Sequence, residues 1–341
     1  MMHPSSPAAE RRRKRAFTFI IAAAASLFIA AVTLGVEARL AAPDRVVGRV
    51  LPDLARQFAD ARTIRIVSRD ANYRIARTAQ GWAMTDRGDF PVQARRLAEL
   101  SDGLRGLAYV RRMTADPAQH ERLGVDDPTQ AGAGILVQIE NAEGGFIVNL
   151  ILGVTRDAIY ARRPNENQVW AVRGDLPPLR DAATWLDLTP LALEARELRR
   201  VAITPPTGPA DVLERADGDG DFAFAGPASG RTPISTATLS TTATRLTRLQ
   251  PIDVLPAAAI AGPPVARLTA TTASGAQLNA EFVTHENRIW MRVTAQGAAG
   301  PAQTTADAVN ARAGAWAFAL SQAEYEALAP ALDSLVLGAT P

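Results

Sequence analysis

The sequence has no cysteine. Disulfides, thiolate nucleophiles, iron–sulfur clusters and Cys-based zinc sites are therefore excluded. Histidine is almost as scarce, with only His3, His120 and His285. A zinc site usually needs three or four protein ligands, so neither a metal nor any other cofactor is expected. Lysine occurs once, at Lys14, and the other 36 basic residues are arginine. No Gly-x-Ser-x-Gly elbow is present, which removes that route to a serine hydrolase. There is no Walker motif, and Gly132-Ala133-Gly134 precedes a strand pattern rather than linking strand to helix. Any ATPase belongs to another chain.

What the sequence does contain is a folded chain of uneven charge. At 341 residues, 47% hydrophobic and 21% charged, it has the composition of a globular protein and the length of about two domains. Five basic residues at Arg11–Arg15 and one acid at Glu10 give the first fifteen residues +4, so the remainder sums to −2 of the total +2. The pI of 9.4 thus reflects the leader strongly. Without a global basic field, no nucleic-acid partner is expected.

Behind the basic leader 1–15, the 21 residues Ala16–Val36 carry no charge. A helix needs about 20 apolar residues to cross the hydrocarbon core, and the positive-inside rule keeps the leader cytoplasmic. The run is longer than a secretory h-region of about 7–15 residues. It is therefore read as an uncleaved anchor, with cleavage after Ala38 as the alternative. Either reading places the main body outside the cytoplasmic membrane, periplasmic in a Gram-negative cell, and the absence of cysteine excludes a lipoprotein.

Residues 37–62 carry Val46, Val47, Val50, Leu51, Leu54 and Phe58, an approximate helical stripe that Pro52 begins or kinks. From Thr63 the pattern turns to short strands at Ile64–Ile66, Tyr73–Ile75 and Gly81–Met84. A helix opened by Pro91 carries Leu97, Leu100, Leu104 and Leu107. Strands follow at Ile135–Ile139, Phe146–Leu152, Ala158–Ala161 and Val169–Val172, and then Trp185-Leu186. The same order returns. Arg200–Thr204, Val212–Arg215 and Asp221–Phe224 precede a helix carrying Leu239, Leu246 and Leu249, offset by 142 from Leu97, Leu104 and Leu107. Ala266–Thr271, Leu278–Val283 and Ile289–Val293 come next, and Trp316–Leu320 takes the place of Trp185. The expected fold is α+β: a transmembrane helix, then tandem repeats at 63–195 and 196–338, each a largely antiparallel sheet with one packed helix.

Few residues suggest chemistry. Asp217-Gly218-Asp219-Gly220-Asp221 resembles the start of a calcium loop, but the sixth and twelfth positions are Phe222 and Ala228. A tight Asp-Gly hairpin turn is the better reading. His120 and His285 read as surface histidines, the latter at a hairpin tip. The five tryptophans Trp82, Trp170, Trp185, Trp290 and Trp316 lie in or beside apolar strand patterns and read chiefly as core. Arg95-Arg96 and Arg111-Arg112 read as solvated pairs, with anionic lipid headgroups as the sharper alternative. The candidate contact residues are Arg111, Arg112, Trp170 and Trp290.

The ordered set Ile64-Arg65-Ile66, Gly81-Trp82, Phe90-Pro91-Val92, Leu123-Gly124-Val125-Asp126-Asp127-Pro128 and Gly153 resembles the bacterial domain-of-unknown-function family 4340. Ile159-Tyr160-Ala161-Arg162-Arg163, Val169-Trp170-Ala171-Val172 and Trp185-Leu186-Asp187-Leu188 continue it. The resemblance runs from about Leu51 to Leu193 and more weakly through Leu337. Met113-Thr114 departs from it, since a lysine is expected before the threonine. The resemblance implies one N-terminal span, an exported body and an association with ABC-type transporters, including gliding-motility-like systems. It brings no catalytic residues. The expected function is a non-catalytic accessory or scaffold subunit beside an ABC-type permease and ATPase. A lipid- or glycan-binding protein using the cleft between the repeats is the alternative, and an enzyme with paired carboxylates ranks last.

Overall fold

The computed structural model describes residues 48–156, 158–205, 208–216, 219–226, 230–331 and 334–337. The leader 1–15 and the apolar run Ala16–Val36 lie outside the described residues, as do Asp217 and Gly218. Among the described residues no helix is long and apolar enough to cross a membrane. Of the stripe expected over 37–62, the described part forms one helical turn, α1 (Leu54–Gln57), continued by a 3-10 turn at Phe58–Asp60.

The fold is α+β and is built on two antiparallel sheets. The first comprises β1 (Thr63–Val67), β2 (Asn72–Thr78), β3 (Gly81–Met84), β4 (Phe90–Pro91), β5 (Ala108–Arg112), β6 (Ile135–Glu140), β7 (Phe146–Val154), β8 (Ile159–Arg162) and β9 (Trp170–Arg173). Its order is β4-β3-β2-β1-β6-β7-β8-β9-β5. The second comprises β10 (Leu198–Thr204), β11 (Asp211–Glu214), β12 (Ala223–Ala225), β13 (Asp253–Pro256), β14 (Pro264–Thr272), β15 (Gln277–His285), β16 (Arg288–Gln296) and β17 (Trp316–Leu320). Its order is β12-β11-β10-β14-β15-β16-β17-β13. Apart from β4, the two orders correspond strand for strand.

Each chain segment crosses its sheet on a helix. In the first half α2 (Ala94–Gly106) carries the chain from β4 to the opposite edge at β5, with Leu100 and Leu104 one turn apart and fully buried. Pro91 does not open this helix. It pairs with Ala83 in β4, and its fixed φ suits that short edge strand better than a helix three residues ahead of its start. The counterpart is α3 (Thr236–Thr244) with the 3-10 turn Arg245–Arg248, which bury Leu239 and Leu246. The second half also packs α4 (Pro301–Val309) and α5 (Gln322–Leu328) against its sheet, so among the described residues it has three helices rather than the expected one. Alanine-rich α4 has too weak an apolar stripe to stand out in sequence.

The strands alternate as half-buried antiparallel strands should. Ile64, Ile66, Ile75, Val137, Ile139 and Leu150 face one way, and Val201, Leu268, Ala280, Phe282, Met291 and Val293 do the same in the second sheet. All twelve belong to one continuous apolar core. The halves meet across a seam of closely packed side chains. Phe90 sets its ring edge-on to Trp316 at 4.8 Å and to Phe318 at 6.4 Å. Arg87 donates to Asp253 at 2.6 Å, and Arg288 approaches the same carboxylate at 3.6 Å. Gly88 has φ +66°, and a Cβ there would lie 2.2 Å from Pro256 Cγ.

Two expected equivalences change. Trp316 stands in β17 opposite Pro256 of the edge strand, as Trp170 stands in β9 opposite Arg112, so its counterpart is Trp170 and not Trp185. The place of Trp185 is taken by Leu335: Gln93 N–H donates to Trp185 O at 2.8 Å, and Ile234 N–H donates to Leu335 O at 2.9 Å. The strand expected at Asp221–Phe224 lies at Ala223–Ala225, because Asp221 is drawn to Ser240 of α3.

Candidate functional site

Three of the four candidate residues come together at one edge of the first sheet. In β5, Arg112 lies opposite Trp170 and Arg111 opposite Ala171 of β9, with the register slipping between Tyr109 and Arg111. The slip leaves Val110 in a bulge, 42% exposed. Tyr109 packs on Trp170 with ring centroids 4.9 Å apart, so Trp170 is half-buried by a neighbour in its own ladder. Arg112 donates to the neutral amide oxygen of Gln168 at 2.6 Å. Arg111 and Arg112 are exposed, and among the described residues neither is ion-paired to a carboxylate.

The first described residues cover part of this edge. Tyr109 N–H donates to Gly48 O at 3.0 Å and Val50 N–H to Leu107 O at 2.9 Å. Among the described residues no segment pairs with this side of β5 beyond Tyr109. Beside it, Leu51, Phe146 and Arg163 line a groove of about 430 Å³, with Phe146 54% exposed.

Trp290 is not part of this edge. It is 3% exposed on the outer face of the second sheet, packed with Ile260, Val283, Ala317 and Ala319. It is a core residue. Arg95 and Arg96 lie on a groove of about 840 Å³ between α2 and the segment after β9. Arg96 donates to Thr184 O at 3.0 Å and to Glu99 at 2.7 Å. With Arg173 against Glu99, Asp102 and Asp175, the lining charges balance and favour no ligand of one sign.

Sequence reasoning missed a buried polar cluster under the Leu123–Pro128 motif. His120 is 6% exposed rather than a surface residue, because the 3-10 turn capped by Asp116 swings it inward to meet Asn167 O through Nε2 at 2.9 Å. Arg162, 7% exposed, donates through Nε to Val125 O at 2.6 Å and reaches the carbonyls of Arg163 and Pro164. Burial lowers its pKa below the usual arginine value, and Asp127 and Asp126 oppose that shift. Asp126 accepts from Ala133 N–H, and Asp127 caps the turn that Pro128 begins. Leu123 and Val125 then pack on Val67, Leu136 and Ile151. Gly153 is needed beneath them, since a Cβ would lie 2.1 Å from Leu123 O. These motif residues build a cover for the sheet's outer face, and the alternating apolar pair Leu123/Val125 was the available signal.

Trp185 and Tyr73 are likewise structural. Trp185 Nε1 donates to Pro178 O at 3.1 Å and Tyr73 Oη to Leu179 O at 3.0 Å, both within the core. Burial pushes the Tyr73 hydroxyl well above the usual tyrosine range. His285 sits at the β15–β16 hairpin, where Glu286 and Asn287 both take positive φ. Among the described residues no group of His, Asp and Glu is arranged to hold a metal ion. Asp219 is described without Asp217, and Asp221 is occupied by Ser240.

No curated protein matches the chain. A family profile does, over residues 82–274, from β3 of the first sheet across the seam to the turn after β14. That stretch is more than half of the chain and crosses both halves, so the unit of the family is not one sheet alone. The chain belongs to the family described as a domain of unknown function, DUF4340.

Proposed function

We propose that the protein is a single-span envelope protein, anchored through Ala16–Val36 with its leader 1–15 in the cytoplasm. Its body is a duplicated pair of α+β units outside the cytoplasmic membrane, acting as a non-catalytic accessory or scaffold subunit of an ABC-type transport complex. The observation that carries the scaffold reading is the continuous core. Both sheets contribute to it, and the seam at Phe90, Trp316, Phe318, Arg87 and Asp253 is filled by side chains. The grooves described above are each walled by one half. A body of this kind can hold partners at a fixed separation, and the edges of its sheets offer backbone groups for protein contact.

The test is crosslinking of the tagged full chain in native membranes, followed by isolation and mass spectrometry. Because Lys14 is the only lysine, an amine-reactive reagent would miss the exported body; a carbodiimide acting on Asp and Glu is the suitable choice. The expected result is recovery of a permease and an ATPase. Recovery of lipid or glycan alone, or of nothing, overturns the transporter reading and turns attention to ligand binding.

A further inference from the structure

We propose that the end of β5, with Arg49, Val110, Arg111 and Arg112, rests on anionic phospholipid headgroups of the membrane that holds the anchor. The inference builds on the anchored reading above and adds a face and a lipid class to it. The first argument is reach. Eleven residues separate Val36 from Gly48, and a fully extended chain of that length spans about 40 Å at most. Gly48 accepts a hydrogen bond from Tyr109 N–H at 3.0 Å, so the tether enters the body at this edge and keeps it within that reach of the bilayer surface.

The second argument is charge. On the second sheet several arginines have a carboxylate partner: Arg200 pairs with Glu214, and Arg267 and Arg292 share Glu281. At the tethered edge, Arg49 donates to the backbone oxygen of Arg105, Arg112 donates to a neutral amide, and Arg111 is exposed. Among the described residues none of the three is paired with a carboxylate. The third argument is the bulge, which presents Val110 between these arginines, with Phe146 exposed on the neighbouring groove. A small apolar projection ringed by guanidinium groups fits the boundary between headgroup and acyl chain.

The absence of cysteine makes the test direct. The full chain carrying V110C, labelled with an environment-sensitive fluorophore, is reconstituted into vesicles of phosphatidylcholine with or without phosphatidylglycerol, beside a T241C control on exposed α3. The expected result is a blue-shifted V110C signal, quenched by headgroup-region quenchers, only when phosphatidylglycerol is present and weakening as salt rises. R111Q and R112Q should each lower the docked-to-free ratio about five-fold. A V110C label as water-exposed as T241C, in a chain that still floats with the vesicles, overturns the proposal and leaves the anchor reading standing. Equal shifts in both lipids overturn the role of charge. A chain that does not float with either overturns both readings.

Discussion

The two halves use one strand order and one crossing helix, yet each places its long connection somewhere else. Helical residues run over Ala94–Gly106 in the first half and over Thr236–Arg248 in the second, each end 142 positions later. Between β5 and β6 the first half inserts residues 113–134, whose Leu123 and Val125 cover the outer face of its sheet. The corresponding stretch in the second half is only 257–263. That half spends its insertion between β16 and β17, where α4 and the following turn bury Ala306, Val309 and Ala313 in the shared core. The outer face left uncovered carries the exposed Thr269 and the Arg267–Glu281–Arg292 ion pairs, as a water-facing antiparallel sheet allows. The sheet and its crossing helix are one solution to chain crossing; the insertions are separate answers to whichever apolar patch that solution leaves exposed.

The sharpest way to break the comparison is to truncate matched positions. Trp185 is fully buried and packs near Tyr73 at 6.1 Å between ring centroids. Trp185→Ala should cost about 3–5 kcal/mol. Leu335, 3% exposed, accepts the equivalent backbone hydrogen bond with a smaller side chain. Leu335→Ala should cost about 2–3 kcal/mol. Urea unfolding of both variants measures the difference, and a larger loss at Leu335 would break the pairing.

Among the described residues Phe90 has no equivalent, because no strand of the second sheet takes the place of β4. Phe90→Ala removes the ring contacts to Trp316 and Phe318 and should cost about 3 kcal/mol. Since these contacts cross the seam, calorimetry should show one thermal transition separating into two. A single, uniformly shifted transition would mean that the rest of the core holds the halves together without this ring.

The helix starts differ more subtly. Ser235 Oγ accepts from Thr238 N–H at 3.0 Å and caps α3, whereas Gln93 makes no such cap and donates from Nε2 to Leu186 O at 2.7 Å. Ser235→Ala should cost about 1 kcal/mol and speed amide exchange at Thr238. Gln93→Ala should loosen the Val92–Leu186 bridge while leaving α2 exchange unchanged. Faster exchange in α2 would show that Gln93 supports the helix after all.

These differences also explain what the sequence could show. Period-two alternation made the long strands legible, since residues such as Ile135, Val137 and Ile139 are apolar at every second place. The leucine spacing located both crossing helices. Edge strands β5 and β13 are not legible, because Tyr109–Arg112 is mostly exposed, Asp253–Pro256 buries only Val254, and both owe their strand state to the partner strand. Trp316 was misplaced because local aromatic content does not say which ladder a strand joins. At the candidate site, Arg112 and Trp170 are 58 residues apart in sequence and directly opposite in the sheet. No periodicity within either segment carries that proximity.

The smallest expected effect concerns a link that only one half supplies. Arg312, in the turn after α4, donates to Asp187 Oδ2 and, at 2.6 Å, to Thr189 O, tying the second half to the segment that joins the two. Partial burial would raise the Asp187 pKa, but the Thr189 backbone N–H and the Arg312 guanidinium outweigh it, and the net shift is downward. A carboxylate with a depressed folded value adds stability that is fully present above its unfolded pKa of about 3.9 and is lost as pH falls through the folded value. With side chains 37% and 56% exposed, solvent screens the pair and holds its worth to about 0.5 kcal/mol. Asp187→Asn should therefore lower the urea midpoint slightly at pH 7 and match the parent protein below the folded pKa. An equal gap at both pH values would mean that the carboxamide disturbs packing, and that the tie between the halves does not depend on charge.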